Sequence, residues 1–284
     1  PFITELDAIL KSNPPSSFGQ YNNGLKLGGA KITIDGSVQG RTALFTTPYL
    51  VEGPNGEKPW KGVAPFTQQQ LNQMVKQVYD LGLPLDLHAN GDGAIDMLLA
   101  AHEFAAAGDL EKERHVTAVH SQFVRRDQLD KYRKYKITPS FFTQHTYFFA
   151  DTHLVLRGKQ QTDFISPMRT AIDMGLRPSN HTDFVVTPLD QLFVIWTAVN
   201  RISRNGVLIG GDERITPLEA LEAITLSAAR QHGDEQTKGS LEPGKLADMV
   251  ILSANPLTVE PMQIKDIKVV ETFKQGRRIY PQQL

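Results

Sequence analysis

With 284 residues, 40% of them apolar, the chain is long enough to bury a sizeable core and suits one large α/β domain with a small appendage. Its 30 Lys and Arg residues against 31 Asp and Glu leave a net charge of −1, a field of no single sign that argues against nucleic acid and anionic membrane as partners. There is no cysteine, which excludes disulfide frameworks and thiolate metal sites and leaves any metal to His, carboxylate or a modified Lys.

No apolar run approaches the roughly 20 residues that a bilayer-spanning helix needs. The first residues show no basic-then-apolar leader, so a cytoplasmic setting is expected. Phe2 to Leu10 form a short apolar segment, and Ser12 to Ser17, with two prolines, form a loop. Alternating Ile32 and Ile34, stopped by Gly36, predict a strand with Lys31 on one face and Asp35-Gly36-Ser37 as the loop above it. Residues 50–65, with Gly53, Pro54, Gly56 and Pro59, predict an irregular excursion.

Thr67 and Gln70 form a capping box that opens a helix with Leu71, Met74, Val75, Val78 and Leu81 on one face, ended by Gly82. Pro84 starts a strand that runs through Leu85 and Leu87 to His88 and turns at Asn90-Gly91-Asp92-Gly93 into a helix over 94–107. The unit then repeats. A strand over 114–120 ends in His120, a charged helix runs from Asp127 to Lys134, and a further strand covers 137–142. A helix opened by Ser166-Pro167 stops at Gly175, and Leu176 to Asp183 form the last strand of the series. Thr216 and Glu219 make a second capping box for a helix to about Arg230. Beyond Gln236 the pattern becomes strand-like at 246–252 and 267–273, with a hairpin turn at Lys274 to Arg277 before Arg278-Ile279-Tyr280.

Strands alternating with helices predict a parallel sheet, and the side chains at the strand ends favour a (β/α) TIM-type barrel. About five units are present where a full barrel has eight, so residues 1–235 read as the later strands of one, and residues 236–284 as part of a small β-sandwich. His88, His120 and Asp183 close three of the predicted strands, 32 and 63 positions apart, with Lys31 another 57 positions before His88. That spacing brings all four side chains to one mouth. Neutral imidazoles with a carboxylate suit zinc or iron, and a catalytic site of this kind keeps one position for water. Asp183 could accept that water's proton.

His145 follows the 137–142 strand and reads either as a substrate contact or as packing. Phe141, Phe142, Phe148 and Phe149 line an apolar pocket or belong to the core. His102, His115, His153 and His232 read as structural or surface residues, and Gly91 and Gly93 as backbone geometry.

These motifs resemble the C-terminal half of the amidohydrolase superfamily, in the metal-dependent branch that includes N-substituted formamide deformylase. The matching stretches are Lys31 to Ser37 with Arg41-Thr42-Ala43, the turn from His88 to Asp92, Val119-His120, the Ser179-to-Asp183 strand end, and Gly239 to Asp248. Together they span nearly the whole chain, and the last marks where such chains leave the barrel for a composite β-sandwich. The resemblance implies His88 and His120 as ligands of the second metal, Lys31 as a candidate carbamylated bridging ligand, and Asp183 as ligand and general base. It also implies a divalent metal, zinc by preference with iron or manganese as alternatives, in one or two ions. The implied reaction is hydrolysis of a non-peptide C–N bond in a small-molecule amide or cyclic amide.

Two departures from the pattern stand out. His181-Thr182 occupies the place usually held by Gly-Ser, where His181 either adds a substrate or metal contact or fills space. No His precedes His88, so the first-strand His-x-His pair is absent. This leaves two alternatives to the amide reading: a catalytically silent scaffold that pairs with a second copy or with the missing N-terminal half through an open sheet edge, and an ester or phosphoester hydrolase on the same barrel.

Overall fold

The computed structural model describes residues 2–281. A short helix α1 (Leu6–Leu10) and an antiparallel hairpin, β1 (Tyr21–Asn22) with β2 (Leu25–Lys26), precede the main sheet. That sheet is parallel and five-stranded, ordered as in the sequence: β3 (Ala30–Thr33), β4 (Leu85–Ala89), β5 (Val116–His120), β6 (Ile137–Phe141) and β7 (Ser179–Asn180). Ile32 lies opposite Leu87, and Leu87 opposite Ala118, so one buried row crosses the sheet. Within β4 burial alternates, with Leu85, Leu87 and Ala89 enclosed and Asp86 and His88 half-buried, as the two-residue period of a strand requires. Among the described residues the sheet ends at β3 and β7, which do not pair with each other, and Phe2 forms a single parallel bridge to Lys31.

Helices cross between the strands. In α2 (Gln68–Asp80) Thr67 and Gln70 form the reciprocal cap, and Leu71, Val75 and Val78 form the buried stripe against α3 (Asp92–Ala105). Helix α4 (Arg126–Tyr135) links β5 to β6. Four short helices fill the next crossover: α5 (His145–Phe148), α6 (Ala150–Arg157), α7 (Lys159–Asp163) and α8 (Met168–Asp173). After β7 come α9 (Gln191–Asn200), α10 (Pro217–Ile224) and α11 (Leu226–Gln231), and then an antiparallel sheet of β8 (Met249–Leu252), β9 (Val269–Lys274) and β10 (Arg277–Tyr280) in the order β10-β9-β8.

Three local expectations are corrected. The strand expected over 176–183 is only β7, because Ser179 and Asn180 spend their side chains on Ser140, Gln231 and Thr143, and the backbone turns left-handed at Asp183. The helix expected to run to Arg230 breaks at Thr225, whose hydroxyl donates back to the Leu221 carbonyl at 2.7 Å. Pro167 caps α8 from outside instead of occupying its first turn.

Arg201, at the end of α9, is wholly buried, yet each of its three guanidinium nitrogens donates a hydrogen bond. Its guanidinium donates to the carbonyls of Ile209 at 2.7 Å, Ser166 at 3.1 Å, Asp163 at 3.3 Å and Ile165 at 2.8 Å. Burial lowers its pKa to about 10, with Glu213 and Asp163 pulling the other way, so it stays charged at neutral pH.

Candidate metal centre

The C-terminal ends of β4 to β7 converge on a cluster of imidazoles. His88 lies opposite Val119 and Ala89 opposite His120, so strict strand alternation would send the two His side chains to opposite faces. The alternation ends at His120, where φ is +69°, followed by Ser121 at +43°. Left-handed backbone at non-glycine residues is sparsely populated and costs about 1–3 kcal/mol each, a strain that concentrates at functional sites. The two rings meet edge to face, with centroids 4.4 Å apart and His88 Nδ1 3.1 Å from His120 Nε2.

His120 also lies 5.1 Å from His181 and 6.0 Å from His145, ring to ring. Phe142 packs against both, stacked on His181 and 4.1 Å from the His145 ring. Behind them stands His153, 6.1 Å from His145, which is held between Gln122 and Gln39. Burial lowers every one of these imidazole pKa values: His88 to about 4, His153 and His181 to about 3, and His120 and His145 far down. All five are therefore neutral near pH 7 and keep a lone pair.

Lys31 lies opposite Asp86, two residues before the level of His88 on β4, so only its long side chain reaches toward the mouth. Burial lowers its pKa, opposed by Asp86 and Asp183, and its charge is felt by His88, His120 and His181. Asp183, with φ of +50° and a half-exposed side chain, brings Oδ2 to 3.9 Å from His120 Nε2. Burial raises its pKa, with Lys31 pulling it back. All six sequence-derived candidates, Lys31, His88, His120, His145, His181 and Asp183, thus share one neighbourhood. His102 stands apart, bonded to Tyr79 and the Leu110 carbonyl and stacked on Tyr135.

Six buried side-chain atoms among the described residues find no hydrogen-bond partner: Asn90 Oδ1, His120 Nδ1, Gln122 Oε1, Gln144 Nε2, His145 Nδ1 and His181 Nε2. All belong to residues at or just past the ends of β4 to β7. Sequence reading gave no site role to Gln122, Gln144 or Asp35. Asp35 is buried, and its carboxyl is raised to about 7 by that burial against three backbone N–H donors. A cavity of about 520 Å³ opens nearby, lined by Phe45, Phe123, Phe164 and Arg126 among others, and none of the cluster imidazoles lines it.

The donor set is suited to a divalent ion in part. Two nitrogens bound to one tetrahedral ion at 2.0–2.1 Å are about 3.3 Å apart, close to the 3.1 Å between His88 Nδ1 and His120 Nε2. Among the described residues no trio of His, Asp and Glu closes around a point. The imidazole pair would therefore offer two donors to such an ion, and any others would have to come from a modified Lys31, a shift of Asp183 or donors outside these residues.

The amidohydrolase family profile matches residues 7–280. Protein LONG AFTER FAR-RED 3 of Arabidopsis thaliana is 30% identical over 90% of this chain and 43% of its own length. N-substituted formamide deformylase of Arthrobacter pascens is 24% identical over 89% of this chain and 45% of its own. The chain spans about half the length of these relatives. An uncharacterized metal-dependent hydrolase from Pyrococcus horikoshii OT3 shares the fold with a TM-score of 0.77 at 24% identity, covering 92% of this chain and 50% of that one. With a profile match that takes in both the parallel sheet and the C-terminal strands, the chain belongs to the amidohydrolase family, whose members are hydrolases.

Proposed function

We propose that this chain carries the larger part of the active site of a divalent-metal-dependent hydrolase that cleaves a non-peptide C–N bond in a small amide or cyclic amide. The approach of His88 Nδ1 to His120 Nε2, within a cluster of buried neutral imidazoles, carries this reading. His88 and His120 would hold the ion, zinc by preference, with Lys31 and Asp183 completing its surroundings. When bound, such an ion lowers the pKa of water to near 7 and polarises a carbonyl.

The chain's own residues do the rest. Burial lowers the pKa of Lys31, which favours the neutral amine that would add to CO2, forming an N–C bond and releasing one proton to give an anionic carbamate. Asp183 takes the proton of the attacking water and delivers it to the leaving nitrogen, a task that its raised pKa and half-open position support. His145 Nδ1 and His181 Nε2, both without a hydrogen-bond partner, would be available to contact the substrate.

Metal content by elemental analysis tests the ligand pair: about one ion per chain is expected, lost in His88→Ala and in His120→Ala. Hydrolysis of formamides and cyclic amides by the full-length protein tests the base, and activity retained in Asp183→Asn removes Asp183 from that role. A second reading, a silent scaffold that pairs with another copy or an upstream segment, is favoured by the lack of a closed donor trio among the described residues and by outer strands that do not pair with each other. A compact monomeric mass by size exclusion with light scattering counts against it.

A further inference from the structure

Asp35 sits just past β3, and its side chain is enclosed. Its carboxylate accepts the backbone N–H groups of Leu44, Asn90 and Gly91, each at 2.9 Å. Leu44 belongs to the segment after β3, and Asn90 and Gly91 to the turn after β4. One carboxylate thus laces together the ends of the strands that carry Lys31 and His88. The approach requires glycine at 91, where a Cβ would meet the Leu44 carbonyl oxygen at 1.9 Å.

Asp35 Oδ1 also lies 3.7 Å from His88 Nε2, beyond hydrogen-bond length but near enough to favour an N–H on that nitrogen. Asn90 competes for the same atom. Its Nδ2 lies 3.0 Å from the Gly36 carbonyl and 3.1 Å from His88 Nε2. A carbonyl only accepts, so this atom is the amide NH2, and its contact with Nε2 needs a lone pair there.

A neutral imidazole carries one N–H, which makes the two arrangements exclusive. With Asn90 engaged, the His88 proton sits on Nδ1 and is donated to His120 Nε2 at 3.1 Å. With the proton on Nε2, facing the Gly36 carbonyl and, at 3.7 Å, Asp35, Nδ1 presents a free lone pair beside His120.

We infer that Asp35 is a positioning residue that selects the Nε2–H tautomer of His88 and so frees Nδ1 for a divalent cation, while Asn90 holds the other tautomer when no cation is bound. The inference rests on the proposed metal-binding role of His88 and His120. Groups that fix the tautomer of a metal-binding imidazole typically change metal affinity by about 10–100-fold when removed.

The test uses the chain labelled with ¹⁵N at histidine. Long-range ¹H–¹⁵N spectra are recorded with and without added Zn²⁺, and His88 is assigned by its loss in His88→Gln. The expected result is a proton on Nδ1 without zinc that moves to Nε2 when zinc is present. A zinc-loaded His88 bound through Nε2, with the proton left on Nδ1, overturns the inference, and this readout needs no variant at Asp35. Zinc affinity is then compared across variants, with about 10–100-fold weakening expected for Asp35→Asn and equal or tighter binding for Asn90→Ala. A folded Asp35→Asn that binds zinc as tightly as the unaltered chain overturns the positioning role and leaves the metal reading intact. If the imidazole spectrum of the unaltered chain does not respond to zinc, the metal reading itself fails and the inference falls with it.

Discussion

The mouth of the parallel sheet and the C-terminal sheet are mismatched in opposite senses. At the mouth, polar atoms of Asn90, His120, Gln122, Gln144, His145 and His181 are buried without partners. In the C-terminal sheet the apolar neighbours Met249, Val250 and Ile251 alternate between the two faces of β8 and are all exposed, Val250 at 54%. Val269 and Val270 on β9, and Ile279 on β10, are exposed as well. Neither region contributes to stability in the way its composition suggests, since burial without hydrogen bonds is a cost and apolar surface left in water gains nothing. Between them lies a chain whose other buried polar groups are largely satisfied, with Arg201 as the reference case.

The sharpest way to break the comparison is to make the satisfied interior resemble the unsatisfied mouth. Arg201→Met strips four backbone carbonyls of their donor and is expected to destabilise the chain by about 3–5 kcal/mol, read from the shift of the denaturant midpoint. Acid should act more gently and through burial. His153 is neutral when folded, with a pKa of about 3, and reverts to the ordinary value near 6.5 when unfolded. The unfolded chain therefore binds the extra proton, so stability is full above pH 6.5 and is lost as the pH falls toward 3. Between pH 7 and pH 5 this one residue should account for about 2 kcal/mol, and His153→Gln should flatten the slope by that amount.

Changes at the two mismatched regions should be smaller. His181→Phe, placed against the Phe142 ring, replaces an unpartnered buried nitrogen by apolar surface and should raise stability by about 1 kcal/mol in thermal unfolding while impairing any activity. Val250→Lys on the C-terminal sheet should move stability by less than about 0.5 kcal/mol. A large loss there would mean that the exposed strands are packed against something in solution.

Signals with a period were legible in the sequence. The caps at Thr67 and Thr216, the alternation in β4 and the strand ends at His88 and His120 all rest on local spacing and are present. Helix α9 escaped because it is buried on almost every side, so no apolar stripe contrasts with a polar one. The Asp35 tie escaped for a different reason. It joins residues that are 9, 55 and 56 positions apart through backbone N–H groups, and those carry no residue-type signature. The approach of His145 to His120, with His153 behind it, is likewise a product of how the crossover after β6 folds back, which spacing alone does not encode.

That fold-back is pinned by the buried guanidinium of Arg201, which gathers carbonyls from residues 163–166 and from 209. A partly assembled version would strand a charge inside the protein, so the corner assembles and opens all at once. In native-state hydrogen exchange, the segment that supports His145 and His153 should open together with residues 201–209 as one cooperative unit, with a protection above that of the C-terminal hairpin.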